Sequence, residues 1–299
     1  MQYQLPRVIG HRGAMRKAPE NTIAGIDQAA REGATWVEFD VKLTRDGIPV
    51  LMHDVNLKRT TGYKALVRDA DYQVIRSLDA GYRFHEDFRN EPVPSLREAL
   101  ERCAMLGLTP NIEIKPCPGR ERQTGMAVTE AIKAHWPKAE LPPLLSSFST
   151  KSLLAARYDA PAYPRGLLAN RMPRDWQRLA NRLELTALHL NGTHITTAQL
   201  ADCRDAGLPV LAWTINHPRL AASLVASGVQ GIITDCPATI RNALAELPPG
   251  LQKLRDAWHS DMPDQHCPAL LDLPTVSGPA IHRRRPYTRL RRYAMNKWA

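Results

Sequence analysis

Trp36-Val37-Glu38-Phe39-Asp40-Val41 is the stretch on which the fold of this 299-residue chain turns. Trp36, Val37, Phe39 and Val41, with Leu43 beyond them, make a nearly continuous run of apolar β-formers. That is the pattern of a strand covered on both faces, as in a parallel sheet with helices packed against it. Glu38 and Asp40 lie two apart within the run and so project from the same face. Two carboxylates inside such a strand are costly without a cation or a basic partner. The stretch therefore predicts a layered α/β architecture and a charged site carried by it.

Neighbouring segments add to that site. Thr44-Arg45-Asp46-Gly47 contains an Asp-Gly hairpin signal, and Ile48-Pro49-Val50-Leu51-Met52-His53 reads as the returning arm. With Asp46 and Gly47 as the two central turn residues, the register predicts Asp40 directly opposite His53. Pro49 makes that arm an edge or excursion rather than a central strand. Upstream, Val8-Ile9-Gly10-His11-Arg12-Gly13 ends a short strand in a histidine and an arginine. Downstream, Asn111, Glu113 and Lys115 alternate with two isoleucines, so Glu113 and Lys115 share a face. Glu38, Asp40 and Glu113 are the oxygen ligands that one hard divalent cation, Ca²⁺ or Mg²⁺, prefers. Arg12 and Lys115 suit a phosphate, and His11 with His53 can supply a base and an acid. The set reads as chemistry on a phosphodiester.

Short apolar strands are expected near residues 7 to 11, 36 to 41, 110 to 115, 143 to 147, 165 to 168, 187 to 190, 209 to 214 and 231 to 235. Helical patterns follow each. Asn21 is expected to cap one that Gly33 closes, Ser95-Leu96-Arg97-Glu98 is a capping box closed by Gly107, and Thr196 or Thr197 opens one ended by Gly207. Pro218 begins another, and Pro237 stands at a first helical position. Eight such units predict an α/β fold, a (β/α)8 TIM barrel, whose active groups sit at the C-terminal ends of strands. His11, Arg12, Glu38, Asp40, Glu113, Lys115 and Trp213 all fall at such ends.

Composition is ordinary for a soluble protein, with 43% hydrophobic, 6% aromatic and 23% charged residues. The five cysteines, Cys103, Cys117, Cys203, Cys236 and Cys267, include no CxxC pair and fit a reducing compartment better than a disulfide framework or a zinc site. The opening lacks a charged-then-apolar leader, and no apolar run is long enough to span a bilayer. A cytoplasmic protein is the simplest expectation.

His11-Arg12-Gly13, Pro19-Glu20-Asn21-Thr22, Glu38 to Val41, Asp46-Gly47, Val50 to Asp54, Asn111 to Lys115, Leu145 to Phe148 and Ile232 to Asp235 occur in order through residues 5 to 245. Together they resemble the glycerophosphodiester phosphodiesterase family, and most nearly its bacterial cytoplasmic branch, which works with glycerol 3-phosphate uptake. The resemblance implies metal-dependent hydrolysis of small-molecule glycerophosphodiesters, such as glycerophosphocholine or glycerophosphoethanolamine, to sn-glycerol 3-phosphate and an alcohol. It implies His11 and His53 as the acid/base pair, Glu38, Asp40 and Glu113 as metal carboxylates, and Arg12 and Lys115 as phosphate-binding groups. It also implies that Trp213 packs on the glycerol, where the residues alone would equally suit a core tryptophan. The family mechanism has one histidine deprotonate the glycerol 2-hydroxyl, which attacks phosphorus; the other protonates the departing alcohol, and water opens the cyclic phosphate. Related barrels cleave inositol phospholipids or lysophospholipids, but the polar sequence around Asp79 to Asn90 does not suggest a rim for a lipid chain.

Other residues read as bland. His189 alternates inward on a strand and is expected to be a satisfied structural histidine. His85, His135, His194 and His217 belong to loops or helix ends, Thr60-Thr61-Gly62 fits a turn, and Ser146 and Ser147 lack the elbow of a serine nucleophile. Residues 55 to 94 form an insertion after the second barrel strand, expected as a small cap that helps choose the alcohol. Its Gly81-Tyr82-Arg83-Phe84-His85 departs from the family's usual serine or tryptophan after the glycine, and Arg83 would disfavour a cationic choline.

The end of the chain has no barrel counterpart. Residues 1 to 247 are expected as the barrel and 248 to 299 as a basic, proline-containing extension. Nine Lys or Arg against four Asp or Glu give the extension +5, half of the chain's +10. Arg283-Arg284-Arg285, Tyr287, Arg291, Arg292 and Trp298 interleave charge with aromatic rings, a composition that could grip nucleic acid or an anionic membrane. Proline content and weak periodicity favour instead a poorly ordered extension without a catalytic part. A binding protein built on that tail is the second reading, and the complete set of acids and histidines argues for the enzyme.

Overall fold

The structure, a computed structural model, describes residues 3–246. The expectation for residues 248 to 299 lies outside them. The barrel strands are β1 (Val8–Gly10), β2 (Trp36–Leu43), β4 (Thr109–Ile114), β5 (Leu144–Ser147), β6 (Arg165–Ala169), β7 (Ala187–Asn191), β8 (Val210–Trp213) and β9 (Gly231–Thr234). All pair in parallel in sequence order, and β1 pairs with both β2 and β9, which closes the barrel. The added strand β3 (Pro49–Leu51) runs antiparallel on β2. Eight strands thus form the expected TIM barrel, each short enough to need helices for cover.

Those helices are α1 (Ile23–Arg31), α4 (Leu96–Leu106), α5 (Glu121–His135), α6 (Thr150–Asp159), α7 (Trp176–Leu183), α8 (Thr197–Asp205), α9 (Pro218–Ala226) and α10 (Pro237–Ala245). Ser95 and Glu98 make a reciprocal capping box at α4, and Thr196 with Gln199 makes another at α8. Pro218 and Pro237 stand in the first turns of α9 and α10, where a missing N–H costs nothing. At α1 the expectation was one residue off. Thr22, not Asn21, is the cap, accepting from the Gly25 N–H at 3.0 Å. Asn21 is turned to Asp40 instead.

The period of two divides the barrel interior into levels. Ile9, Trp36, Leu144, Leu211 and Ile233 form an apolar cluster inside it. Two residues further along the same strands, and so about 6–7 Å higher, come His11, Glu38, Ser146, Trp213 and Asp235. The alternate residues Val37, Phe39, Val41, Ile112 and Ile114 face outward into a second cluster with Leu96, Leu100 and Val128 of the helices. Each such side chain contributes on the order of 1.5–3 kcal/mol when fully buried. The polar level is therefore carried on strands held by apolar residues below and outside it.

The hairpin corrects the expected register. Val41 pairs with Leu51 and Leu43 with Pro49, so Asp40 faces Met52, not His53, and the Met52 N–H donates to the Asp40 carbonyl at 2.9 Å. The cause is one extra turn residue. Gly47 N–H bonds the Thr44 carbonyl at 3.2 Å and Gly47 takes φ +84°, while Thr44 N–H bonds the Ile48 carbonyl at 3.1 Å. This is a three-residue loop with a left-handed glycine, which shifts the return arm by one position relative to a two-residue turn. His53 still reaches the barrel mouth, because β3 ends at Leu51 and the chain turns there.

The insertion after β3 folds as the expected small cap. It contains α2 (Lys58–Thr61) and α3 (Tyr72–Arg76) and has its own apolar cluster, including Leu57, Val67, Ile75 and Val93 on Val50 and Met52. Thr60 and Thr61 belong to the helical turn that Gly62 ends.

Candidate active site

Three carboxylates converge at the C-terminal end of β2 and β4. Glu38, Asp40 and Glu113 each offer an oxygen within 4.8 Å of the others, and all three are buried. The parallel register sets Asp40 beside Glu113 and Glu38 beside Asn111. Burial, joined by the charges of Asp40 and Glu113, pushes the Glu38 carboxyl well above its ordinary value. Burial and Asp40 likewise push Glu113 up to about 8. Asp40 goes the other way: burial opposes its ionisation, but Lys115 and Arg12 hold it well below the usual carboxylate range. Like charges this close resist full ionisation until more positive charge arrives. An all-oxygen donor set short of positive charge is what a hard divalent cation fits.

Two basic side chains lean on these acids. Lys115 Nζ lies 2.9 Å from Asp40 and 3.2 Å from Glu113, so Lys115 is ion-paired as well as lining the cavity. Burial lowers the affinity of Lys115 for its proton, yet Asp40 and Glu113 outweigh that and raise it. Arg12 Nε lies 3.2 Å from Asp40, its NH1 donates to Glu20 at 2.9 Å, and its backbone N–H donates to Glu38 at 2.9 Å. Arg12 has φ +50° and Gly13 φ +95°; a Cβ on Gly13 would stand 2.5 Å from the Gly25 backbone. The tight turn after β1 thus needs glycine because α1 packs directly on it.

Each histidine is held from behind by an aspartate. His11 Nδ1 lies 2.6 Å from Asp235 Oδ1, and Asp235 Oδ2 accepts from Asn216 Nδ2 at 2.5 Å. His53 Nδ1 lies 2.8 Å from Asp54 Oδ1. Both rings keep Nε2 for the cavity, and His11 Nε2 is 3.9 Å from Glu38. Burial lowers the His53 pKa, against the pull of Asp40, which favours a neutral ring. Burial would raise both aspartates, but hydrogen bonds hold them low: to His11 and Asn216 for Asp235, and to Arg59 and His53 for Asp54.

One cap residue ties these parts together. Arg59 donates from Nε to Asp54 at 2.7 Å, and from NH1 and NH2 to Glu20 at 2.6 and 2.7 Å. Glu20 also receives Arg12, and Asp54 faces His53. A single guanidinium therefore fixes the supports of one histidine and one arginine. Arg83, expected to disfavour a cationic choline, donates to the Arg59 carbonyl at 2.9 Å.

These groups surround a cavity of about 160 Å³. His11, Arg12, Glu38, His53, Glu113 and Lys115 line its charged part. Phe148 and Trp213 also line it, edge to face at 5.5 Å, and Trp213 Nε1 donates to the His189 carbonyl at 3.0 Å. Seven of the eight residues expected from sequence thus line it, and the eighth, Asp40, is paired with Lys115. His189 differs from its expectation of being satisfied. It is fully buried with both ring nitrogens unpartnered, and burial pushes its pKa down to about 3.

Sequence reasoning gave no part in the site to Asp235, Asp54, Glu20, Arg59, Asn111 or Ser146, and gave Asn21 only that of a helix cap. Asp54 carried a local signal, standing next to His53. Asn21 binds Asp40 twice, Nδ2 to the carboxylate at 2.9 Å and Oδ1 from the Asp40 N–H at 2.9 Å, and resembled an ordinary helix cap.

Residues 11–239 match the glycerophosphoryl diester phosphodiesterase family. Over 240 residues the chain is 35% identical to the glycerophosphodiester phosphodiesterase of Caldanaerobacter subterraneus, covering 79% of this chain and 96% of that protein. It is similar to the structure of an Oleispira antarctica phosphodiesterase in complex with its product sn-glycerol 3-phosphate. There the TM-score is 0.79 at 38% identity, over 81% of this chain and 98% of that one. A glycerophosphodiester phosphodiesterase from Agrobacterium tumefaciens shares the fold with a TM-score of 0.67 at 24% identity, over 80% and 100% of the two chains.

Proposed function

The chain belongs to the glycerophosphoryl diester phosphodiesterase family and has that hydrolase activity, and we propose that it releases sn-glycerol 3-phosphate from small glycerophosphodiesters by two-histidine, cation-dependent catalysis. The observation that carries this reading is the pairing of two aspartate-backed histidines with a buried trio of carboxylates around one cavity. The product held by the Oleispira antarctica relative supports the glycerol half of the assignment.

Glu38, Asp40 and Glu113 would hold one divalent cation, Ca²⁺ or Mg²⁺. Bound there, it would supply Lewis-acid stabilisation of charge on the phosphoryl oxygens. Arg12 and Lys115 bind the same phosphate, since both present N–H groups to the cavity beside the carboxylates. Asp235 and Asp54 hold His11 and His53 with Nδ1 inward, which leaves each Nε2 facing the cavity. One of these accepts the proton of the glycerol 2-hydroxyl as its oxygen bonds to phosphorus. The other gives a proton to the alcohol oxygen as the P–O bond breaks. Water then opens the cyclic phosphate with the roles exchanged. Trp213 and Phe148 pack on the carbon chain of the glycerol. A cytoplasmic setting belongs to the same reading and is supported by Cys103, Cys117, Cys203 and Cys236, all free and buried. Among the described residues no helix is long and apolar enough to cross a membrane.

The test is a pair of phosphocholine diesters, one of glycerol and one of propane-1,3-diol, which lacks the 2-hydroxyl. The reading expects turnover of the first, with a transient cyclic phosphate by ³¹P NMR, and none of the second. Equal turnover of both would replace the internal nucleophile with water.

A further inference from the structure

The cavity is also lined by two polar groups for which the mechanism has no use. Asn111 on β4 and Ser146 on β5 both line it, Asn111 in register with Glu38 and Ser146 with Glu113, and Phe148 and Trp213 belong to the same lining. Asn111 is 1% exposed and Ser146 0%, yet neither Nδ2 nor Oδ1 of Asn111, nor Oγ of Ser146, has a hydrogen-bond partner. Buried polar atoms are nearly always paired, because leaving one unmet costs about 1–3 kcal/mol. Three such atoms on one cavity mark a place where a ligand supplies the missing partners.

Their chemistry narrows the ligand. An amide offers donors and an acceptor side by side, and a serine hydroxyl can act as either. An anion could meet only Nδ2 of Asn111 and an ammonium only Oδ1, and each would leave the other atom without a partner. A hydroxyl satisfies both, and the aromatic wall alongside suits the carbon that bears it. The phosphate is already met by Arg12 and Lys115, and the 2-hydroxyl by a histidine. What remains of a glycerophosphodiester is its terminal hydroxyl.

We infer that Asn111 and Ser146 bind the terminal, non-reacting hydroxyl of the glycerol unit and make the enzyme selective for glycerol over other vicinal diols. The inference rests on the proposed function and adds to it the group that recognises the substrate. A diol lacking that hydroxyl would leave the buried pair unmet, and sites of this kind reject such analogues strongly, by up to about 10⁴-fold.

The experiment compares kcat/KM for glycerophosphocholine and for the phosphocholine diester of propane-1,2-diol, which keeps the reacting hydroxyl and lacks the terminal one. The wild-type protein should prefer the glycerol diester by about 100-fold or more. In Asn111→Leu and in Ser146→Ala that ratio should fall at least tenfold, with the loss on the glycerol diester. Ser146→Ala removes a single oxygen and carries the test if Asn111→Leu does not fold. A ratio unchanged in both variants would overturn the inference, and so would a wild-type protein that turns over both substrates equally well. Turnover of neither by the wild type would instead remove the functional reading beneath it.

Discussion

His11 Nδ1 and Asp235 Oδ1 meet at 2.6 Å across 224 positions of sequence. Barrel closure makes this contact, since β1 and β9 are neighbours and Gly10 pairs with Thr234. Asn216 secures the aspartate from its other side, accepting from its backbone N–H at 2.8 Å as well as donating to its carboxylate. The aspartate thereby selects the ring orientation that turns His11 Nε2 to the cavity.

Asp235→Asn preserves the shape of that contact and removes its charge. The side-chain amide then offers a donor to a ring nitrogen that should itself donate, favouring the wrong tautomer. By comparison with other aspartate-backed histidines, kcat should fall about 10²–10⁴-fold with little change in melting temperature. Steady-state kinetics beside a thermal melt check this; a loss below about threefold would leave Asp235 without a positioning role.

Arg59→Met should act on two parts at once. Asp54 and Glu20 lose their shared partner, so His53 and Arg12 both become less well held, and kcat should fall while KM rises, each by about tenfold. Arg59→Lys should recover only part of this, because an ammonium cannot reproduce the fork that reaches both carboxylates. Full recovery by lysine would reduce the role of Arg59 to its charge.

Glu38→Gln and Asp40→Asn should each weaken divalent-cation binding about 10–100-fold or more, measured by titration calorimetry on chelator-treated protein. The trio lacks positive charge in the sense that Glu38 and Glu113 are pushed up by burial and by each other's neighbour Asp40. Cation binding should therefore release protons, visible as a buffer-dependent binding enthalpy. A buffer-independent enthalpy would contradict this electrostatic picture.

His189 predicts a slope of stability with pH. Its folded pKa is near 3 because burial disfavours the charged ring, whereas unfolded histidine titrates near 6.5. Below pH 6.5 the unfolded chain gains a proton that the folded one refuses, so stability is full above that pH and is lost as pH falls towards 3. The loss should be about 2 kcal/mol at pH 5. Lowered Asp235 and Asp54 act in the same direction, though only near their own lower range. Melts at pH 7 and pH 5 should therefore differ less for His189→Leu than for the wild type; equal differences would remove His189 as a source of the slope.

What the sequence could reveal followed the range of its signals. Period-two alternation over Trp36–Leu43 placed Glu38 and Asp40 on one face, and the same rule paired Glu113 with Lys115. Strand order and most caps were legible for the same local reason. The hairpin register was not, because Asp-Gly serves two-residue and three-residue loops alike, and only the Thr44–Ile48 hydrogen bond decides between them. Asn21 was misplaced by one, since Asn and Thr are both good caps and nothing local shows that Asp40 claims the first. Asp235 and the Arg59–Glu20 link act across 224 and 39 positions of sequence, which no local pattern spans. Asn111 and Ser146 became informative only once burial showed that their polar atoms lack partners.

On the proposed mechanism both histidines act with a cation held by Glu38, Asp40 and Glu113 to liberate sn-glycerol 3-phosphate. The most direct measurement is release of that product from glycerophosphoethanolamine by metal-stripped protein, before and after adding Ca²⁺ or Mg²⁺, with His11→Ala and His53→Ala assayed in parallel. Release should be absent without cation and restored by at least one of the two, and should fall at least about 10³-fold in each variant with the fold retained. Undiminished release from the stripped wild-type protein, or from either histidine variant, would contradict that mechanism.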